Sequence, residues 1–128
     1  MRGGFFIGLD TDLYQQLATT MAQLAGAGDP ASPVAQLVDA EGRLFTLDEC
    51  MPGIGEWEYR EGPFTAGPSV QIPDMQSVTA CMFACRWPDM VVHLAQILAS
   101  RTRGPLWLLD GNGMVWDASA VDPAAVTL

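Results

Sequence analysis

Between Val78 and Asp117 strand, helix and hairpin signals follow one another without a gap, and any fold of this chain must accommodate that unit. Val78-Thr-Ala-Cys-Met-Phe-Ala-Cys85 has few polar side chains, the pattern of a strand covered on both faces in the middle of a sheet. Trp87-Pro88-Asp89 ends it and opens a helix. Pro88 stands at the first helical position, where its missing N–H costs nothing, and Asp89 lies near the positive end of the helix dipole. Met90, Val91, Leu94, Ile97 and Leu98 recur at helical spacing as one apolar stripe, while His93, Gln96 and Ser100 fall away from it. Arg101 and Arg103 close the helix at its negative end, and Gly104-Pro105 stops it. Leu106-Trp-Leu-Leu109 and Met114-Val-Trp116 then flank Asp110-Gly-Asn-Gly113, which is the grammar of a β-hairpin.

The first third of the chain follows the same order. Phe5-Phe-Ile-Gly-Leu9 predicts a short strand, Asp10 or Thr11 can cap a helix, and the helix is expected from about Asp12 to Ala25. Its predicted inner face is Leu13, Leu17, Met21 and Leu24, with Gln15, Gln16, Thr19, Thr20 and Gln23 outside. After a Gly- and Pro-rich loop, Val34–Val38 and Arg43–Leu47 flank Asp39-Ala-Glu-Gly42 as a second hairpin. The two hairpins echo each other: apolar run, Asp opening the turn, Gly closing it. The chain therefore reads as two βαββ units, about residues 4–48 and 77–117. Duplication explains the echo, and so does convergence on good turn chemistry. The expected fold is α+β, a single domain over 1–128, with a mainly antiparallel sheet carrying both amphipathic helices on one face.

Between the units, residues 48–76 are irregular and rich in Pro and Gly. Within them Glu56-Trp-Glu-Tyr-Arg60 alternates, predicting a short edge strand with Trp57 and Tyr59 on one face and Glu56, Glu58 and Arg60 on the other. Asp48, Glu49, Glu56, Glu58 and Glu61 make this the most acidic patch of the chain.

Charge sorts the function classes. The net charge of −9, from 15 acids against 6 bases, opposes binding to nucleic acid or to an anionic membrane, and favours a basic protein or a small cation. No run approaches the ~20 apolar residues of a membrane span, and the apolar run at the N-terminus is too short for a secretory signal, so the expected location is cytoplasmic. The three cysteines, Cys50, Cys81 and Cys85, fit a compartment where thiols stay reduced. All bases are arginine, a composition in keeping with a GC-rich bacterial genome.

No catalytic constellation emerges. His93 is a lone helical histidine, and with Cys81 and Cys85 it lacks the paired spacing and fourth ligand of a zinc site. Asp110-Gly-Asn112 resembles the start of a calcium loop, but Met114 stands at the next ligand position and Val121 at the twelfth. The phosphate-loop, dinucleotide and nucleophile-elbow patterns are missing. Glu56 and Glu58 would lie about 7 Å apart on a strand, as carboxylate pairs of some hydrolases do, though edge-strand glutamates share that spacing by accident. Cys85 beside Arg86 is the one candidate for an activated thiol. The expectation is a non-enzymatic protein without catalytic, cofactor or metal residues. Its partner-binding surface is Asp48, Glu49, Glu56, Trp57, Glu58, Tyr59 and Glu61, with oligomeric state left open.

The stretch with Arg86-Trp87-Pro88 entering a helix, then Pro105-Leu-Trp-Leu-Leu-Asp110-Gly-Asn-Gly-Met-Val-Trp116, resembles segments of small bacterial proteins. In size, acidity and lack of catalytic signature the whole chain is similar to the immunity proteins that protect bacteria from polymorphic or interbacterial toxins. That resemblance rests on no diagnostic motif. It implies a cytoplasmic inhibitor that binds one toxin domain and blocks its active site. A second resemblance is to the paired βαβββ units of glyoxalase-like proteins, with Glu56–Arg60 and Val126–Leu128 as the third strands and the units extended to 4–61 and 77–128. It implies a ligand held between units, and the single histidine favours a metal-free version.

Overall fold

Phe5 and Phe6 point to opposite sides of one strand, and that alternation sorts the protein into layers. The computed structural model describes all residues except Met1, Met51, Pro52 and Ile54. The strand, β1 (Gly3–Gly8), is central. On one side it pairs with β5 (Thr79–Ala84), Phe6 opposite Cys81, and on the other with β6 (Trp107–Leu109), Phe6 opposite Leu108. Beyond β5 lie β3 (Leu44–Glu49) and then β2 (Val34–Val38). Beyond β6 lie β7 (Met114–Asp117) and the two-residue β4 (Thr65–Ala66). Neighbours are antiparallel except β4 and β7, so the described residues form a seven-stranded, mainly antiparallel α+β sheet.

Helices α1 (Leu13–Ala25) and α3 (Pro88–Arg101) cover one face, as expected. Phe6, Phe45 and Phe83 form the centre of this layer, with ring centroids 5.0 Å apart for Phe6–Phe83 and 5.4 Å for the stacked Phe45–Phe83 pair. Met90, Val91, Leu94, Ala95 and Leu98 of α3 are buried in the same core, which is the predicted stripe with Ala95 added and Ile97 at its margin. On α1 the inner face includes Tyr14 and Ala18. Two expectations fail there. Leu24 overruns the core at the last turn and stays 37% exposed, whereas Thr20 is buried, its hydroxyl satisfied by donating to Gln16 O at 3.2 Å.

The opposite face is covered by the chain between β3 and β5. Tyr59, Phe64, Val70, Ile72, Met75 and Val78 pack on Phe5, Ile7, Ala80, Leu109 and Val115. Burial of β5 on both faces explains its nearly continuous apolar sequence.

Both βαββ segments exist, yet they do not build equivalent halves. The first hairpin joins the sheet with its second strand inward, β3 against β5, and the second with its first strand inward, β6 against β1. Neither gains the third strand of a βαβββ unit. Residues 57–60 are helical and 126–128 are not a strand. What the echo does encode is the turn. Asp39 Oδ1 accepts the N–H groups of Glu41 and Arg43, and Asp110 Oδ1 those of Asn112 and Met114, all within 2.9–3.0 Å. Gly42 and Gly113 close the turns at φ +80° and +79°, a region costly for other residues.

Candidate functional site

Residues 56–61 of the acidic segment form a short ridge on the face away from the long helices, whereas Glu49, opposite Cys81, lies on the helix side of β3. The centre of the ridge is α2 (Trp57–Arg60), entered through Gly55 at φ +68°. The alternation in Glu56–Arg60 predicts a strand with both aromatics on one side, and the structure corrects this. Two residues on a helix are rotated by about 200°, so Trp57 and Tyr59 point apart. Trp57 is 63% exposed, while Tyr59 is buried, its ring 5.4 Å from that of Phe5. The sequence pattern is too short to separate the two periods. Long-range contacts decide: Arg60 Nη1 donates to Met75 O (3.0 Å) and Nη2 to Val78 O (3.3 Å), and Gln76 Nε2 donates to Arg60 O (2.6 Å).

Anchoring Arg60 leaves the neighbouring acids unneutralised. Its guanidinium sits 4.9 Å from the centre of the Tyr59 ring and pairs only loosely with Glu56, at 3.4 Å. Asp48, Glu49, Glu58 and Glu61 make no ion pair among the described residues. Their field is felt nearby. Burial pushes the Cys50 thiol up and the carboxylates of Asp48 and Glu58 add to that shift. Burial likewise raises the Tyr14 hydroxyl to about 12, with Glu49 and Asp48 contributing. The ridge is therefore a region of negative potential with one large aromatic standing out of it.

Concavities lie on both sides of α2. A cleft of about 680 Å³ is lined by Trp57, Glu58, Glu61, Phe5, Phe64 and Asn112, among others. A smaller depression of about 270 Å³ holds Glu49, Glu56 and Tyr59 beside Tyr14 and Cys50. The expected partner surface is thus divided: Trp57, Glu58 and Glu61 face the cleft, Glu49, Glu56 and the Tyr59 edge the depression, and Asp48 lines neither, standing on β3 opposite Val34. Met51, Pro52 and Ile54 of this segment lie outside the described residues.

Phe64 follows Glu61 by three residues, but Asn112 joins the cleft from a distant part of the chain, which periodicity cannot show. Gly3-Gly4 is the one local hint. A Cβ at Gly4 would lie 2.4 Å from Leu109 O, so the glycine admits a close approach of β1 to β6 at the floor of the cleft.

The other candidates separate. His93 is exposed on α3, whereas Cys81 and Cys85 are buried under the helices. Burial pushes the Cys85 thiol up, the opposite of the activation expected from Arg86, whose guanidinium lies 5.8 Å from the Trp87 ring centre. Asp110 is buried, and its Oδ2 accepts Trp116 Nε1–H (3.0 Å) and Thr127 N–H (3.2 Å), so this carboxylate holds the hairpin to the C-terminal segment. No helix of the described residues is long and apolar enough to cross a membrane. Comparison with protein-family models, with curated proteins and with solved structures returned no match.

Proposed function

We propose that the chain is an acidic protein-binding inhibitor of the immunity type, which docks its acidic segment, centred on Trp57, Glu58 and Glu61, on the basic surface of a bacterial toxin or effector domain. One observation carries the reading: Trp57 stands 63% exposed beside Glu58 and Glu61, which have no ion-pair partner among the described residues. An exposed tryptophan supplies anchoring area to an interface, and surrounding unpaired charge steers the encounter and selects the partner's sign. Leaving both in water has no folding benefit. The ridge is held in place by Tyr59 and Arg60, so the interface residues are presented without being needed for the core.

The test is capture from the producing cell on immobilised wild-type chain and on the Trp57→Ala variant. The expected result is one basic protein retained in stoichiometric amount by wild type, inhibited in the complex, and lost from the variant. Equal retention by both proteins, or a retained partner whose activity is unaffected, would contradict the reading.

A further inference from the structure

We propose that β2 is a self-pairing edge, through which two copies of this chain join antiparallel about Gln36 into one continuous sheet. The two ends of the sheet are built differently. At one end, β4 is only Thr65–Ala66, with Pro63 and Pro68 on either side, a short edge that resists pairing. At the other, β2 is Val-Ala-Gln-Leu-Val, in unbroken register with β3, with no charge, proline or bulge.

The hydrogen-bond phase of β2 determines what it can accept. Asp39 N–H donates to Arg43 O and Glu49 N–H to Pro33 O, both at 3.0 Å, which marks the odd-numbered residues as those bonded to β3. Val34, Gln36 and Val38 therefore direct their backbone groups outward. Val34 N–H reaches only Ser32 Oγ, at a long 3.4 Å. In an antiparallel pair centred on Gln36, Val34 faces Val38 of the second copy and Gln36 faces Gln36. Every outward-bonding residue then meets another, so the two-fold operation is consistent with the ladder.

The side chains agree with this register. Ala35 and Leu37 turn to the helix layer. Val34 and Val38 are 42% and 59% exposed on the other face, beside Leu44, which is 42% exposed and is the cross-strand partner of Val38. Pairing would merge these residues from two copies into one aliphatic strip. Charge selects the occupant. A basic partner is drawn to the acidic ridge, whereas β2 is itself uncharged and the carboxylates of the adjacent turn are partly offset by Arg43, which pairs with Asp39, Glu41 and Asp89. The net −9 of each copy opposes association everywhere else, so the dimer should tighten as salt screens it.

Sedimentation velocity from about 10 μM to about 1 mM, at low and high salt, tests this on the full chain. Wild type should dimerise with concentration, more strongly at high salt. Gln36→Lys sets two like charges opposite each other and should weaken the dimer about fivefold, although it brings each copy closer to neutrality. Gln36→Glu should weaken it as well, and an equal mixture of the two variants should recover association through the Lys–Glu pair. Gln36 is exposed, and thermal melts of both variants should match wild type. A wild-type monomer at about 1 mM, a dimer that neither variant weakens, or a mixture no tighter than the variants alone would each overturn the proposal.

Discussion

Asp110 shows how a single carboxylate can look like a ligand in sequence and prove structural. Its oxygens take four N–H donors, from Asn112, Met114, Trp116 and Thr127, so nothing remains for a cation to coordinate without displacing them. Asp110→Ala should cost about 2–4 kcal/mol in equilibrium denaturation, because it strands buried donors including the indole N–H. A loss below about 0.5 kcal/mol would show that water replaces the carboxylate. Trp57 and Tyr59 separate binding from folding. Tyr59→Ala should destabilise by about 3–5 kcal/mol as a truncated core aromatic, whereas Trp57→Ala should change stability by less than about 0.5 kcal/mol. Thermal or denaturant unfolding of the two variants checks the assignment, and similar losses would contradict it. Tyr14 gives a pH signature. Its hydroxyl donates to Ser32 O at 2.7 Å, and its folded value of about 12 lies above the ordinary 10.0. Its contribution is therefore full below pH 10 and lost as pH rises toward 12. Tyr14→Phe should flatten the loss of stability in that window, and an unchanged profile would assign the loss to other groups.

At the scale of elements, α3 should be sensitive to truncation, since its buried stripe belongs to the same core as Phe6, Phe45 and Phe83. Leu94→Ala should cost about 2–5 kcal/mol, measured by equilibrium denaturation. A loss below about 0.5 kcal/mol would place Leu94 at the surface, against its 2% exposure. The elements legible in the sequence are those whose signals are local. Pro88 at the start of α3, its stripe from Met90 to Leu98, and the Asp-x-x-Gly turns each state their geometry within a few residues. Strand order was not legible, because nothing local says that β1 slips between β5 and β6. The α2 segment departs from its predicted strand for a related reason: five alternating residues fit either period, and the carbonyls of Met75 and Val78 that capture Arg60 are far along the chain. The same limit applies to the candidate site. Its acids are evident from composition, while the cleft beside them needs Asn112 and the β1 glycines brought to the segment by the sheet.

Across the whole molecule, the excess of acid is organised. Arg43 ties Asp39, Glu41 and Asp89, and Arg103 ties Asp10 and Asp12, while Asp48 and Glu49 of β3 and Glu58 and Glu61 of the ridge stay without ion-pair partners among the described residues. The tied carboxyls carry the acid stability. The Arg43 backbone N–H holds Asp39 below its ordinary value, the Arg43 guanidinium does the same for Asp89, and the Gln16 amide followed by Arg103 does so for Asp12. Folded values below 3.8 mean that this stabilisation is present above the unfolded value and lost as pH falls below it. The untied acids are the ones available to a partner, and that division of charge sets the binding face. It is tested most directly by stopped-flow association of the captured basic protein with wild type and with the Glu58→Lys, Glu61→Lys double variant, at low and high salt. Both positions are exposed, and Glu56 is left in place because it contacts Arg60. The association rate of the double variant should be lower by about tenfold or more at low salt, with the gap closing as salt rises. Equal association rates at low salt, in a variant that still folds, would contradict it.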